Sequence, residues 1–312
     1  MTTRASGPLL VRLSNWVGEV VLSLPALRRL EGAGYELQLV GPAWSPALLE
    51  GTGWPVVERA RGLWPATRQL RALAATWRRA AAPRMPALLF TKSLSSAFEA
   101  RLAGLAPAGY AHDGRSPLLT VAYPLPTFAH AGHAYWHLVS RLLGADPAFP
   151  TELGLVPSAA QRKQAAALLE SQALATRRYV LLCPFSGADD RERRKVWPGF
   201  GELANRLVAQ DVPVLVCPGP GEEPLAAATL PRARQLADVD LGVYAALLER
   251  AATVVANDTG PGHLAAAVGA RLVSVYGPQS VAAWAPVGAR VRLFHDAGGW
   301  PSIEQVAAAV LE

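Results

Sequence analysis

The chain alternates short apolar runs with longer segments in which apolar residues recur every three or four positions. Short apolar runs are typical of buried strands, and the wider spacing is typical of helices that pack on one face. Strands are predicted at residues 9–13, 36–40, 55–58 and 87–91, and in the second half at 179–183, 212–217, 253–257 and 271–275. Strands that alternate with helices form parallel, doubly wound sheets, so the pattern predicts an α/β fold with ligands at the carboxyl ends of the strands.

The predicted helices occupy the segments between these strands. Pro25 lies inside the first helix, and we expect it to kink that helix because it has no N–H to bond to the Val21 carbonyl. In the second half, helices are predicted at 159–174, 199–210, 222–229, 240–251, 260–268 and 301–311.

A proline-rich stretch divides this pattern in two. Residues 144–157 contain three prolines and little periodicity, which is typical of an interdomain linker. We therefore predict two domains, residues 1–150 and 151–312. Packing of the final helix, 301–311, back across the linker onto the first domain is left open.

The composition excludes several classes of protein. With 312 residues, of which 51% are hydrophobic, the chain can bury substantial cores and is not disordered. No run approaches the roughly 20 apolar residues of a membrane span, and no signal peptide is predicted because Arg12 interrupts the apolar run near the start. We expect a cytoplasmic protein.

Cys183 and Cys217 each end a predicted strand, and neither has a neighbouring Cys or His at the spacing of a metal site. We therefore interpret them as packing residues.

The net charge of +6 is unevenly distributed. Residues 1–150 hold 15 Lys and Arg against 8 Asp and Glu, a charge of +7, whereas residues 151–312 hold 15 against 16, a charge of −1. The basic first half is therefore expected to face an acidic partner, which charge alone does not identify.

The stretch from Val254 to Gly269 predicts a strand, a turn and a helix. The turn, Asn257 to Gly262, contains two glycines and a proline. The first N–H groups of a helix lack internal partners and carry partial positive charge, so this turn suits a phosphate group. Pro261 fits the first turn of the helix, because the N–H that proline lacks would have no partner inside the helix there. Asp258 or Thr259 can cap the helix. An ordinary capped helix is the alternative.

Three further loops are predicted at the same sheet edge, at 184–198, 219–223 and 276–280. Lys195, in the first of them, can neutralise a diphosphate. Glu222, in the second, can accept hydrogen bonds from two ribose hydroxyls. A surface ion pair is the alternative for each. The chain has neither a Walker P-loop nor a GxGxxG after the first strand of either half, which weakens the NTPase and dinucleotide interpretations.

The helix predicted near 65–82 has an arginine stripe. At helical spacing four arginines fall within an arc of about 100°, namely Arg68, Arg71, Arg78 and Arg79. Guanidinium groups suit phosphates and carboxylates, and a solvated helix face is the alternative. Other cations that can add to this surface are Arg59, Arg61, Lys92 and Arg115.

Several groups of residues have the form found in one protein family. They are Asn15-Trp16-Val17-Gly18 followed by an acidic residue and by Leu24-Pro25-Ala26-Leu27, Lys195 with Trp197-Pro198, Gly221-Glu222, and Asp258-Thr259-Gly260-Pro261 with His263-Leu264-Ala265-Ala266. Because of these motifs, the chain resembles the family 9 glycosyltransferases, which are the ADP-heptose lipopolysaccharide heptosyltransferases. The resemblance extends over nearly the whole chain. The Asn-Trp-Val-Gly form is closer to the heptosyltransferase II branch, which adds the second heptose.

The resemblance implies a GT-B fold, in which two Rossmann-like domains face a cleft. The C-terminal domain would bind the donor and the N-terminal domain the acceptor. The donor-binding residues would be Ser186, Glu222, Val239, Asp258, Thr259, Gly260, Pro261 and His263, and Lys195 would offset the diphosphate charge. The candidate acceptor-binding residues of that domain are Asn15, Trp16 and Gly18 of the first loop together with Arg59, Arg61, Arg68 and Arg71 of the basic surface.

The residue after Gly18 departs from the family pattern. The family usually has Asp at this place, and the chain has Glu19, which is one methylene longer. The resemblance implies that Glu19 removes the acceptor hydroxyl proton while that oxygen attacks the anomeric carbon, with inversion and loss of ADP. A simple carboxylate at a helix N-terminus is the alternative. No metal or other cofactor is expected, because Lys195 and the helix amides stabilise the leaving group.

The predicted function is metal-independent transfer of heptose from ADP-heptose to a lipopolysaccharide inner-core acceptor. The basic first domain would meet the carboxylates and phosphates of this glycolipid, with peripheral attachment to the inner leaflet of the membrane. The alternatives are transfer of another nucleotide-activated sugar to a surface glycan, and a non-catalytic nucleotide-binding protein in envelope assembly. A nucleic-acid partner is not expected, because the basic residues lack interleaved aromatic residues.

Overall fold

A computed structural model describes residues 7–77, 84–185, 196–277, 281–296 and 298–312. The chain forms two compact units, residues 1–150 and residues 151–312. Each unit contains a six-stranded sheet with helices on its faces. Among the described residues, no helix has the length and apolar character needed to cross a membrane.

The first unit begins with a strand, and α-helices connect its strands except between β5 and β6, where a short 3-10 helix lies. Its strands are β1 Gly7–Arg12, β2 Tyr35–Gly41, β3 Val56–Glu58, β4 Pro86–Leu89, β5 Ala106–Tyr110 and β6 Val121–Tyr123. Its helices are α1 Val17–Leu22, α2 Leu24–Gly32, α3 Ser45–Leu49, α4 Leu63–Trp77, α5 Leu94–Leu102 and α6 Gly132–Leu143.

The second unit begins with a helix, and described helices lie between its strands up to β11. Its strands are β7 Val180–Cys183, β8 Val214–Val216, β9 Arg234–Gln235, β10 Thr253–Ala256, β11 Leu272–Tyr276 and β12 Val291–His295. Its described helices are α7 Ala159–Ser171, α8 Phe200–Ala209, α9 Glu223–Thr229, α10 Leu241–Arg250, α11 Gly260–Ala267 and α12 Ile303–Leu311.

The two sheets have the same topology. The first has the order β3-β2-β1-β4-β5-β6, and the second has the order β9-β8-β7-β10-β11-β12. All of these strand pairs are parallel. The direction of chain progression reverses between β1 and β4 and again between β7 and β10. Ligands of such sheets bind at the carboxyl ends of the strands at this reversal.

Apolar residues from both faces of each sheet form the cores. Leu10, Leu70 and Leu89 pack together in the first unit, and Leu182, Leu203 and Val255 pack together in the second. Burying one such side chain stabilises the fold by roughly 1.5–3 kcal/mol. The strands are therefore held rigidly, and the loops at their carboxyl ends start from fixed positions.

The predicted kink at Pro25 is wrong, because the segment forms two helices instead of one bent helix. Ser23 separates α1 from α2, and its hydroxyl donates to the Val20 carbonyl at 2.7 Å. Pro25 then lies in the first turn of α2. A proline is tolerated there because the first N–H groups of a helix have no partner inside it.

The structure adds four strands to the eight that the sequence predicted. They are β5, β6, β9 and β12. β5 has the sequence Ala-Pro-Ala-Gly-Tyr and β9 has two residues, so neither contains the β-branched run that signals a strand. β6 and β12 are edge strands with exposed residues.

The last helix, α12, packs within the second unit. Val306 and Ala309 are buried in the same core as Leu203 of α8. Arg271 also donates to the Ala309 carbonyl at 2.8 Å. Contact of this helix with the first unit stays a prediction.

Candidate active site

Most of the predicted donor-binding residues lie at one edge of the second sheet. Five strands are neighbours in this sheet, in the order β9, β8, β7, β10 and β11. Because they are parallel, the loops that follow them all begin at the same edge of the sheet. Val239 follows β9, Glu222 follows β8, and Asp258 with Thr259 follows β10. Residues that are well separated in sequence therefore share one edge, at the place where a doubly wound sheet binds ligands.

The turn after β10 leads into α11 as predicted. Thr259 precedes the helix with an extended backbone, and Pro261 lies in the first turn. Gly269 follows the helix with φ +76°, so it ends the helix in the left-handed conformation. His263 is buried within α11. The N–H groups of the first turn carry partial positive charge and point out of the helix.

The side chain of Thr259 does not cap α11. Its hydroxyl oxygen is buried and has no hydrogen-bond partner among the described residues. A buried hydroxyl without a partner costs about 1–3 kcal/mol, so such a group is expected to have a partner in the functional state. Neighbouring Asp258 accepts a hydrogen bond from the Tyr276 hydroxyl, with an oxygen–oxygen distance of 3.3 Å.

Asn257 connects two of the loops at this edge, which sequence reasoning did not foresee. Its side chain is fully buried. Asn257 Nδ2 donates to the Pro184 carbonyl at 2.5 Å, and Oδ1 accepts the Trp197 backbone N–H at 2.9 Å. The only sequence signal that Asn257 links two loops is its position as a polar residue directly after a buried strand.

Glu222 is half-buried and forms a tight turn after β8. Its Oε2 accepts the Gly219 backbone N–H at 2.8 Å, which fixes the carboxyl group over the loop. Val239 is half-buried in the loop between β9 and α10. Ser186, Lys195 and residues 278–280 lie outside the described residues.

In the first unit, Glu19 lies at the corresponding edge of its sheet. It occupies the first turn of α1, which follows β1. Ser14 Oγ donates to Glu19 Oε2, and the Tyr135 hydroxyl of α6 also bonds to the carboxyl group. These contacts hold a half-buried carboxylate where the strand order reverses.

Burial raises the pKa of Glu19 above the usual value for glutamate, because desolvation disfavours the charged form. The Lys92 ammonium and the hydrogen bond from Tyr135 act in the opposite direction and lower the pKa. Desolvation has the larger effect. A carboxylate with a raised pKa is a better proton acceptor, and groups shifted in this way are common at catalytic sites.

The other residues of the first loop have different environments. Asn15 is exposed and accepts a hydrogen bond from Arg12 at 2.9 Å. Trp16 is 73% exposed, whereas Gly18 is buried in α1. A tryptophan this exposed is unusual and is available for contact with a ligand or partner.

The four predicted acceptor arginines do not share one environment. Arg59 forms a two-pronged ion pair with Glu99 of α5, whose side chain is 5% exposed. Arg71 is exposed and donates to the Leu102 carbonyl at 2.8 Å. Arg61 and Arg68 are exposed. Arg78 and Arg79, which complete the predicted stripe, lie outside the described residues.

Comparison with known proteins decides the family. A family model described as Glycosyltransferase family 9 (heptosyltransferase) matches residues 85–310, which is more than half of the chain. The chain belongs to glycosyltransferase family 9. No protein with a curated description matches the chain.

Solved structures have the same fold as this family 9 glycosyltransferase. The E. coli ADP-heptose lps heptosyltransferase II has a TM-score of 0.77 at 21% identity, over 97% of this chain and 98% of that one. A family 9 glycosyl transferase from Veillonella parvula has a TM-score of 0.80 at 19% identity, over 94% and 87%. The E. coli heptosyltransferase WaaC with ADP has a TM-score of 0.71 at 20% identity, over 97% and 98%. The predicted α/β fold of GT-B type is confirmed.

Arg115 of the glycosyltransferase is not the surface cation that the sequence suggested. It is completely buried. Its guanidinium donates to the backbone carbonyls of Thr91 at 2.6 Å and Tyr110 at 2.9 Å. Burial lowers its pKa to about 10. Arg115 therefore joins the loops after β4 and β5, and this role depends on contacts that the sequence does not reveal.

Proposed function

We propose that this protein is an inverting, metal-independent glycosyltransferase that moves heptose from ADP-heptose to a lipopolysaccharide inner-core acceptor. Membership of family 9 supports heptosyl transfer in general. The identities of the donor and acceptor rest on the residues at the two sheet edges.

The buried Thr259 hydroxyl carries the donor proposal. It has no partner among the described residues, and it lies beside the positively polarised N-terminus of α11. A diphosphate oxygen would accept a hydrogen bond from this hydroxyl and from the first helix amides. The same contact would remove the cost of burying the hydroxyl without a partner.

The other donor residues have chemistry that suits the remainder of a nucleotide sugar. The second oxygen of Glu222 would accept ribose hydroxyls while the first holds the Gly219 amide. Asp258 would contact the sugar, and the backbone near Val239 would border the adenine. Lys195 would offset the charge of the diphosphate, and Ser186, Gly260, Pro261 and His263 would complete the site.

Glu19 would act as the base of the transfer. The acceptor hydroxyl gives its proton to the carboxylate, and its oxygen forms a bond to the anomeric carbon. The bond from that carbon to the diphosphate oxygen breaks, and ADP leaves with the electron pair. Attack from the side opposite to ADP inverts the anomeric centre. Lys195 and the α11 amides would stabilise the leaving group, so the step needs no metal or other cofactor.

The acceptor would be an acidic or phosphorylated glycolipid of the inner leaflet. Arg61, Arg68 and Arg71 are exposed cations of the first unit, and exposed Trp16 and Asn15 flank the base. Guanidinium groups bind phosphates and carboxylates through paired N–H bonds. The protein would work on the cytoplasmic side, attached peripherally to the membrane and bound to no nucleic acid.

A panel of sugar nucleotides tests this function, with the product detected by mass. We expect transfer from ADP-heptose to a heptose-deficient lipopolysaccharide core, and no loss of activity with EDTA. Transfer from another nucleotide sugar alone would show a different donor. Loss of activity with EDTA that added metal restores would refute metal independence.

The Glu19→Gln variant tests the base. We expect no transfer although ADP still binds, whereas Glu36→Gln at an exposed position of β2 keeps full activity. Removing Lys195 should reduce the use of ADP-heptose. The presence of Glu19 in place of Asp favours a second candidate, a non-catalytic nucleotide-binding protein. Binding of ADP by the wild type without transfer or donor hydrolysis would favour that candidate.

A further inference from the structure

Lys92 lies on the loop after β4, beside the strand that leads to Glu19. β1 and β4 are neighbours at the reversal of strand order. The Phe90 N–H donates to the Arg12 carbonyl at 3.0 Å, which joins the ends of the two strands. Two residues further along, Lys92 is half-buried. The topology therefore places a cation on one side of the reversal and the Glu19 carboxyl on the other.

Arg115 holds the residues on both sides of Lys92. Its Nη1 donates to the Thr91 carbonyl at 2.6 Å and lies 3.4 Å from the Ser93 carbonyl. Ser93 is also the N-cap of α5, where its hydroxyl accepts the Ser96 N–H. A fully buried guanidinium thus fixes a short loop whose middle residue is Lys92, and the ammonium is presented from a rigid base.

Lys92 has no ion-pair partner in the part of the chain that the structure describes. Its ammonium nevertheless acts electrostatically on Glu19. Three groups interact with the Glu19 carboxyl group. They are Lys92 on the loop after β4, Ser14 on the loop after β1, and Tyr135 on α6. The Tyr135 hydrogen bond and the Lys92 ammonium both oppose the desolvation of the carboxylate, and of these groups only Lys92 does so with a positive charge.

We propose that Lys92 is a positioning residue for Glu19, and that its ammonium keeps the buried carboxylate ionised so that it can accept the acceptor proton. The proposal rests on the proposed function, in which Glu19 is the base. It assigns Lys92 to Glu19 and not to the acceptor surface that the sequence suggested. A cation that stabilises a carboxylate without a direct ion pair leaves the carboxylate oxygens accessible to the substrate hydroxyl.

The first experiment measures the titration of Glu19 in the ligand-free protein by carbon NMR. Glutamate labelled at the carboxyl carbon gives the signals, and the one that disappears in Glu19→Gln is Glu19. In Lys92→Met the midpoint should move to higher pH, because removal of a nearby cation disfavours the carboxylate. Lys92→Arg should restore the wild-type midpoint. Lys163→Met, at an exposed position of α7, is the matched control. An unchanged midpoint in Lys92→Met would overturn the proposal.

The second experiment records kcat and the acceptor KM against pH. In Lys92→Met the acidic limb of kcat should move to higher pH, with a loss of about tenfold on that limb for each unit of displacement. The rates should converge with the wild type at high pH, and the acceptor KM should not change. A raised acceptor KM with an unmoved limb would mean that Lys92 binds the acceptor, which contradicts a positioning role.

The two experiments separate this proposal from the proposed function. If Glu19→Gln retained turnover, the base would be another group, yet the NMR titration would still show whether Lys92 controls the ionisation of Glu19. An inactive Glu19→Gln variant together with a Glu19 titration midpoint that does not change in Lys92→Met would support the proposed function and refute the role of Lys92. Folding of each variant is checked by its thermal transition.

Discussion

Asn257 Oδ1 accepts the backbone N–H of Trp197 at a distance of 2.9 Å, although 60 positions separate the two residues. The same side chain donates to the Pro184 carbonyl. One buried amide therefore links the ends of β7 and β10, the two strands at which the second sheet reverses its order. The relative positions of the loops at the proposed donor site depend on this link.

Asn257→Ala should destabilise the second unit by about 2–4 kcal/mol, because it leaves a buried N–H and a buried carbonyl without partners. Urea unfolding followed by circular dichroism measures the loss. Asn205→Ala, at an exposed position of α8, should change the stability by less than about 0.5 kcal/mol. Equal stability of the two variants would show that the link is not important.

Thr259→Val should weaken ADP binding about tenfold without lowering the melting temperature. The substitution preserves shape and removes only the hydroxyl, which has no partner among the described residues. Isothermal titration calorimetry measures the affinity.

Thr253→Val is the matched control for this prediction. The Thr253 hydroxyl is buried and donates to the Val310 carbonyl at 3.4 Å. Its loss should lower the stability and leave ADP binding unchanged. If Thr259→Val bound ADP as tightly as the wild type, the Thr259 hydroxyl would have no role in holding the diphosphate.

Glu19→Gln should raise the melting temperature at neutral pH. Burial raises the pKa of Glu19 above the value it has in the unfolded chain. At a pH above both values the folded state therefore carries the cost of a buried charge, and below the unfolded-state value it carries none. The advantage of Gln should shrink as the pH falls through the window between the two values.

Thermal unfolding from acidic to neutral pH measures this effect. Glu36→Gln should show no such dependence, because Glu36 is exposed on β2. A Glu19→Gln variant whose melting temperature differed from the wild type by the same amount at every pH would contradict the burial argument.

Replacing Arg68 and Arg71 together by Gln should raise the acceptor KM about three- to tenfold and leave the donor KM unchanged. Both side chains are exposed on α4, where they can reach an anionic substrate. The effect should decrease with added salt. Arg178→Gln, exposed in the second unit, is the control. Unchanged acceptor kinetics would show that the stripe is a solvated helix face.

Local patterns were sufficient to predict most of the fold. All eight strands expected from apolar runs are present, and the turn after β10 leads into α11 as predicted. The four additional strands have short, exposed or proline-containing sequences, so they form because a neighbouring strand offers hydrogen bonds. Such pairing is a tertiary interaction and leaves no apolar run in the sequence.

Two arginines show where sequence patterns stop being sufficient. Arg59 and Arg115 were both candidates for an anion-binding surface, yet one pairs with Glu99 and the other is buried against backbone carbonyls. Whether a guanidinium is available to a ligand depends on partners far away in the chain. The same holds for Lys92, whose effect on Glu19 follows from the adjacency of β1 and β4.

The sequence alone determined the alternation of strands and helices, the family and the turn at Thr259, because each depends on residues that are close together in the chain. Only the tertiary structure decided which charged groups are accessible, which loops Asn257 links and which cation acts on Glu19. These properties depend on burial and on distances between residues that folding brings together, and no local pattern encodes them.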